Sequence, residues 1–139
     1  LNEAAILDAK KNAKKKKRRG LIMTHEEKKV AKIIEELTIF FFAIGAEEIH
    51  SGIKRVDAHH VEIDFESDFD PDYADKLDRM SQYLNEEKNE GMEDIYWELA
   101  GSGDPGETSQ LLLVGMMTDK ADVSIEGNVV KLKLYKELL

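Results

Sequence analysis

The chain has 139 residues, a net charge of −9, 42% apolar and 35% charged residues, two prolines and no cysteine. That length fits one domain, and that composition fits a packed core rather than a disordered chain. Without cysteine there is no disulfide, no thiolate metal site and no cysteine nucleophile, and a reducing, cytoplasmic setting is expected.

The longest apolar run, Ile39 to Ile44, has six residues, whereas a membrane-spanning helix needs about 20. No membrane association is expected. The charge is unevenly spread. Residues 1–23 carry eight basic and two acidic side chains, for +6, and the remaining residues carry twelve basic and twenty-seven acidic ones, for −15. A body at −15 repels phosphate backbones and anionic lipid, so only the basic end suits a polyanion.

In chain order, residues 1–22 read as a basic tail, flexible or non-native, built around Lys14-Lys-Lys-Lys-Arg-Arg19, with a short helical stretch over Ala4 to Ala13. Met23-Thr24 reads as a start directly before a helix, and residues 23–139 as a single α+β domain. Thr24-x-x-Glu27 is a capping box. Val30, Ile33, Ile34, Leu37, Phe41 and Ile44 follow at helical spacing and predict a buried stripe that Gly45 terminates.

Strands are predicted over Glu48–Val56 and His60–Ser67. In the second, Val61, Ile63 and Phe65 alternate with His60, Glu62, Asp64 and Glu66. Asp70-Pro71 starts a helix that is expected to bury Tyr73, Leu77, Met80 and Leu84, and Gly91 interrupts it before Ile95, Tyr96 and Leu99. A glycine loop spans Gly101–Gly106, Leu111–Met117 reads as a buried helix, and a hairpin turning at Gly127-Asn128 closes the chain. The order α-β-β-α-α-α-β-β predicts a two-layer sandwich, with a mixed or antiparallel sheet and helices on one face.

Three constellations bear on chemistry. Gly101, Gly103 and Gly106 have the G-x-G-x-x-G spacing, and Gly101 to Thr108 fits a phosphate-binding loop except that Glu107 replaces the lysine. Asp104 and Glu107 carry the wrong sign for a phosphate cradle. Asp68-x-Asp70-x-Asp72 opens like a calcium loop, but Tyr73 and Arg79 stand where glycine and glutamate are required. His50, His59, His60 and Asp57 offer metal donors, yet adjacent strand residues point to opposite faces, so no metal site is expected.

Two stretches together resemble a known family. Glu35 to Pro71 runs from a helix ending Ala43-Ile-Gly-Ala46 to the strand Val61-Glu-Ile-Asp-Phe-Glu-Ser-Asp-Phe-Asp-Pro71, and Gly101 to Tyr135 runs from the glycines through Met117-Thr-Asp119 to the hairpin. The domain resembles a degenerate member of the ATP-binding fold shared by histidine kinases, anti-sigma-factor kinases, gyrase and heat-shock chaperones. The resemblance implies a nucleotide site reduced to Gly101, Gly103, Gly106 and Thr108. The family's magnesium-binding asparagine lies four residues after a helix glutamate, and counting from Glu35 or Glu36 this position holds Ile39 or Phe40. The adenine-reading aspartate and its glycines belong near Ser67–Phe69, where the glycines are missing.

The resemblance therefore implies an ATPase-type fold without its chemistry and with no cofactor. The expectation is a non-catalytic regulatory or protein-interaction domain, presenting Phe40 and Phe42 to a protein partner or a second copy. One alternative is residual nucleotide binding, kinase-like and with ATP as cofactor. Another is polyanion or nucleic-acid binding through residues 1–19.

Overall fold

The computed structural model describes residues 2–18, 24–86 and 105–138. Helix α1 (Glu3–Arg18) extends beyond the stretch expected to be helical, and its residues up to Lys11 are exposed. Helix α2 (His25–Ala43) opens on the predicted capping box: Thr24 Oγ1 accepts from the Glu27 amide at 3.1 Å, and Glu27 Oε1 accepts from the Thr24 amide at 3.0 Å. Its buried stripe holds Val30, Ile33, Leu37, Phe40 and Phe41.

The end of α2 is closed by Gly45, whose φ of +90° suits glycine. The Gly45 and Ala46 amides donate back to the carbonyls of Phe42 and Phe41 at 3.1 and 2.9 Å, the double bond of a Schellman cap. A side chain at residue 45 would also strike Asp70, 2.8 Å from its Cβ. The chain therefore turns sharply from α2 into the sheet.

Strands β1 (Ile49–Arg55), β2 (His60–Asp68), β3 (Lys120–Glu126) and β4 (Val129–Glu137) form one antiparallel sheet in the order β1-β2-β4-β3. The expected alternation holds. Val61, Ile63 and Phe65 of β2 lie beside Val130, Leu132 and Leu134 of β4, all buried beneath the helices. The opposite face carries His60, Asp64, Glu66, Lys131 and Lys133, exposed to solvent.

Between the hairpins stand a 3-10 segment (Pro71–Leu77), helix α3 (Met80–Leu84) and helix α4 (Thr108–Met117). Asp70 caps the 3-10 segment through the Asp72 amide at 3.0 Å. Leu77, Met80 and Leu84 are buried as expected, but Tyr73 is 44% exposed. The reason is the winding. Residues four apart share a face of an α-helix, whereas at three residues per turn Tyr73 is rotated away from Leu77 by about a third of a turn. The expected bend at Gly91 and the contacts of Ile95, Tyr96 and Leu99 lie outside the described residues. Among the described residues no helix is long and apolar enough to cross a membrane.

The two sheet edges are treated differently. On β3, the Asn85 carboxamide accepts from the Ala121 amide and donates to the Ala121 carbonyl, both at 2.9 Å, so a side chain occupies the place of a neighbouring strand. Among the described residues strand β1 has no such clasp, and its residues after Ile49 are all exposed. Ile53 is 56% exposed although its cross-strand partner Ile63 is fully buried.

One charged cluster is folded into the core wall. Glu26 bonds Lys29 at 3.0 Å and Lys136 at 3.1 Å, and the Lys136 side chain is wholly buried. Burial works to raise the Glu26 pKa, but the hydrogen bonds from Lys29 and Lys136 outweigh it and hold it below 4.5. Its contribution is therefore complete above that value and fades as pH falls through the depressed folded pKa. Glu26→Gln should cost about 2–3 kcal/mol at neutral pH, because Lys29 and Lys136 lose the charged carboxylate they share. Urea unfolding at pH 7 and pH 3 should show the difference between variant and parent shrinking in acid.

Candidate functional site

The residues expected to face a nucleotide meet where the end of α2 touches the start of α4. Gly106 has φ +81°, and a Cβ there would lie 3.1 Å from the Ala43 Cβ, so the loop lies directly against α2. The Gly106 amide donates to Gln110 Oε1 at 2.7 Å, and Gln110 Nε2 donates to Glu36 Oε2 at 3.2 Å. Glu36 is only 2% exposed, and its Oε1 has no hydrogen-bond partner. Thr108 is the first residue of α4, and Glu107 before it makes no side-chain cap but lies 3.7 Å from Lys76. Gly101 and Gly103 fall outside the described residues.

This arrangement is poorly suited to phosphate. The Gly106 amide is taken by a side chain that is bonded in turn to the Glu36 carboxylate, and the neighbouring Glu107 carboxylate is itself paired with Lys76. Phe40 is fully buried and meets Phe41 edge-on at 5.3 Å, and Phe41 stacks on Phe65 at 5.4 Å. Phe40 is therefore a core residue and not part of an interaction surface. It lies on the stripe facing the sheet, one residue from Phe41, while Phe42, a further 100° around the helix, is 61% exposed. Ile39, the other residue at the counted ligand position, is partly buried.

Among the described residues three concavities lie on the sheet, the smallest, about 210 Å³, between Glu66, Ser124, Val129 and Lys131. The largest of the three, about 570 Å³, sits at one end of the solvent face between Lys54, Val56, His60, Glu62 and Tyr135. There His60 Nδ1 lies 2.8 and 3.0 Å from the two Asp57 oxygens. This hydrogen bond, reinforced by the charges of Asp57, Glu137 and Asp119, raises the His60 pKa above 6.5. Asp57 is pulled the other way, chiefly by the His59 amide and then by His60. Among the described lining residues none is serine, threonine or cysteine, and the one hydroxyl, on Tyr135, donates to Asp122 Oδ2 at 3.3 Å. The pair acts as an ion pair on the β1–β2 turn. Among the described residues no group of three or more His, Asp or Glu could hold a metal ion.

The third concavity, about 300 Å³, is a notch over Gly52 on β1. Gly52 lies directly opposite Asp64, and a Cβ added at Gly52 would meet nothing within 4 Å. Asp64 is exposed at the floor of the notch and makes no hydrogen bond or ion pair among the described residues. Its neighbour Glu66 lies 3.9 Å from Lys131, and Lys133, across from Asp64, bonds Glu62 at 3.3 Å while the charge of Asp64 also acts on it. Neither Gly52 nor Asp64 stood out as a site residue. The available signal was an isolated glycine inside a strand, which marks close approach of another group.

Compared with family models, curated proteins and solved structures, the chain shows no significant match. The ion pair can be tested directly. The His60 ring should titrate above 6.5 by NMR, and Asp57→Asn should return it toward 6.5. Stability drawn from the pair is present below the unfolded histidine pKa and is lost as pH rises through the folded one.

Proposed function

We propose that the domain is a non-catalytic protein-interaction module, an ATPase-type fold whose nucleotide region has been given over to packing. The observation that carries this reading is the closure between α2 and α4. Of the two counted magnesium-ligand positions, Phe40 has zero exposure and Ile39 is partly buried, and the Gly106 amide is spent on Gln110. A phosphate arriving there would find no free amide at Gly106 and two carboxylates nearby. Binding then falls to the surface, where the sheet leaves one edge uncovered and where Phe42, Tyr73, Ile53 and Val56 are each exposed by more than two fifths.

Calorimetry with ATP and ADP in the presence of magnesium separates this reading from residual nucleotide binding. No saturable heat is expected at micromolar to millimolar nucleotide, and micromolar binding would defeat the reading. Phe40→Asn gives a second measure. Placing an amide in that apolar position should lower stability by about 3–5 kcal/mol, through lost packing and an unsatisfied polar group. An open pocket would instead solvate the asparagine and leave stability within about 1 kcal/mol.

A further inference from the structure

The uncovered edge of β1 and the notch over Gly52 combine into one surface, and its chemistry specifies an occupant. The Val56 amide donates to the His60 carbonyl at 3.0 Å and the Asp68 amide donates to the Glu48 carbonyl at 3.4 Å, so the even-numbered residues of β1 bond to β2. In an antiparallel ladder the intervening residues turn their backbone groups the other way. Ile49, Ser51, Ile53 and Arg55 therefore direct N–H and C=O toward the free edge. The register from Ile49↔Ser67 to Arg55↔Val61 runs without a bulge, and the strand contains no proline. A bulge and a proline, two of the devices that blunt an edge, are absent from β1, whose edge charges are Lys54 and Arg55, while on β3 Asn85 clasps Ala121.

We propose that β1 is a docking edge for an extended peptide segment of a partner protein, one that places a basic side chain opposite Gly52. The added strand would bond to Ser51 and Ile53, and its residue facing Gly52 would sit in a non-hydrogen-bonded pair, where side chains approach most closely. Because residue 52 has no side chain, an arginine there can cross it and reach Asp64 on the next strand. Two strand spacings total about 10 Å, the combined reach of arginine and aspartate side chains. Asp64 is the carboxylate of the notch without an ion pair, and the −15 of the domain body attracts a basic segment from a distance.

The flanking positions set the rest of the pattern. Residues facing His50 and Lys54 are acidic or neutral, and those on the helix side are apolar, covering Ile53. A second copy of the chain fits less well. Antiparallel self-pairing centred on Gly52 sets His50 against Lys54 of the other copy, and both bodies are strongly negative.

This inference deepens the protein-interaction reading and rests on it. The probe is a blocked heptapeptide of net charge +1, Thr-Thr-Val-Arg-Val-Thr-Thr, symmetric about its arginine and titrated into the full chain with amide NMR detection. Saturable binding is expected, with shifts concentrated in Ile49–Arg55. Replacing the peptide arginine with glutamine, or Asp64→Asn in the protein, should weaken binding by about tenfold, the loss of one charge-assisted contact. Gly52→Val, which the open space accommodates, should fill the notch and weaken binding similarly. Ser51→Pro removes an outward amide without touching the β1–β2 ladder and should abolish binding while the melting curve persists.

The proposal is overturned if no saturation occurs up to millimolar peptide, or if Gly52→Val and Ser51→Pro bind as the parent does. It is overturned equally if the unliganded chain self-associates in a manner that Ser51→Pro abolishes, since the occupant would then be a second copy. Peptide shifts mapping elsewhere would remove the β1 assignment and leave the protein-interaction reading standing. Only nucleotide binding in the calorimeter removes both.

Discussion

The central pairing of β2 with β4 holds the remaining elements in place, because both strands bury one face and expose the other. Ile63 opposite Leu134 and Phe65 opposite Leu132 are buried together, while Asp64 opposite Lys133 faces water. A slip of one residue would turn all of these inside out, so the register is strongly specified. With it set, β1 and β3 have only the two outer positions left. Helix α2 must lie across the apolar face, where Phe41 contacts Phe65 at 5.4 Å.

That packing explains why the end of α2 offers so little to a phosphate group. The aromatic pair Phe40 and Phe41 fills the space beneath the last turn. Gly45 then reverses the chain against Asp70, and Gly106 brings the following loop against Ala43. The polar groups left inside, Glu36 and Gln110, bond to one another and to the Gly106 amide instead of presenting themselves to a cavity. A buried carboxylate with one unmatched oxygen is costly. Its position beside the α2–α4 contact marks where the domain tolerates polarity in its core.

The two edges show how the same sheet limits and permits association. On β3 a single carboxamide imitates a strand and satisfies both backbone groups of Ala121. On β1 no described side chain clasps the edge, beside a glycine that leaves the sheet surface indented. An open edge is a hazard unless something binds it or charge keeps other strands away. The strongly negative body provides the second condition against copies of itself.

Much of the architecture was legible in the residues alone. The capping box at Thr24, the alternation from Val61 to Phe65, the Gly127 turn and the apolar run from Leu111 to Met117 each act through neighbours a few positions away, and each became the element it predicted. The exposure of Tyr73 escaped because α and 3-10 winding share start signals and differ only in how the turn closes. Phe40 and Phe42 looked equivalent as adjacent apolar residues, and only the direction from which the sheet approaches α2 separated a core side chain from a surface one. Asn85 reaching Ala121, Gln110 reaching Glu36, and Gly52 exposing Asp64 join residues distant in the chain or on neighbouring strands. Local pattern determines which segments wind or extend and which face is apolar. Which polar groups meet across those segments depends on register and layer order, and these are decided only when the whole core closes.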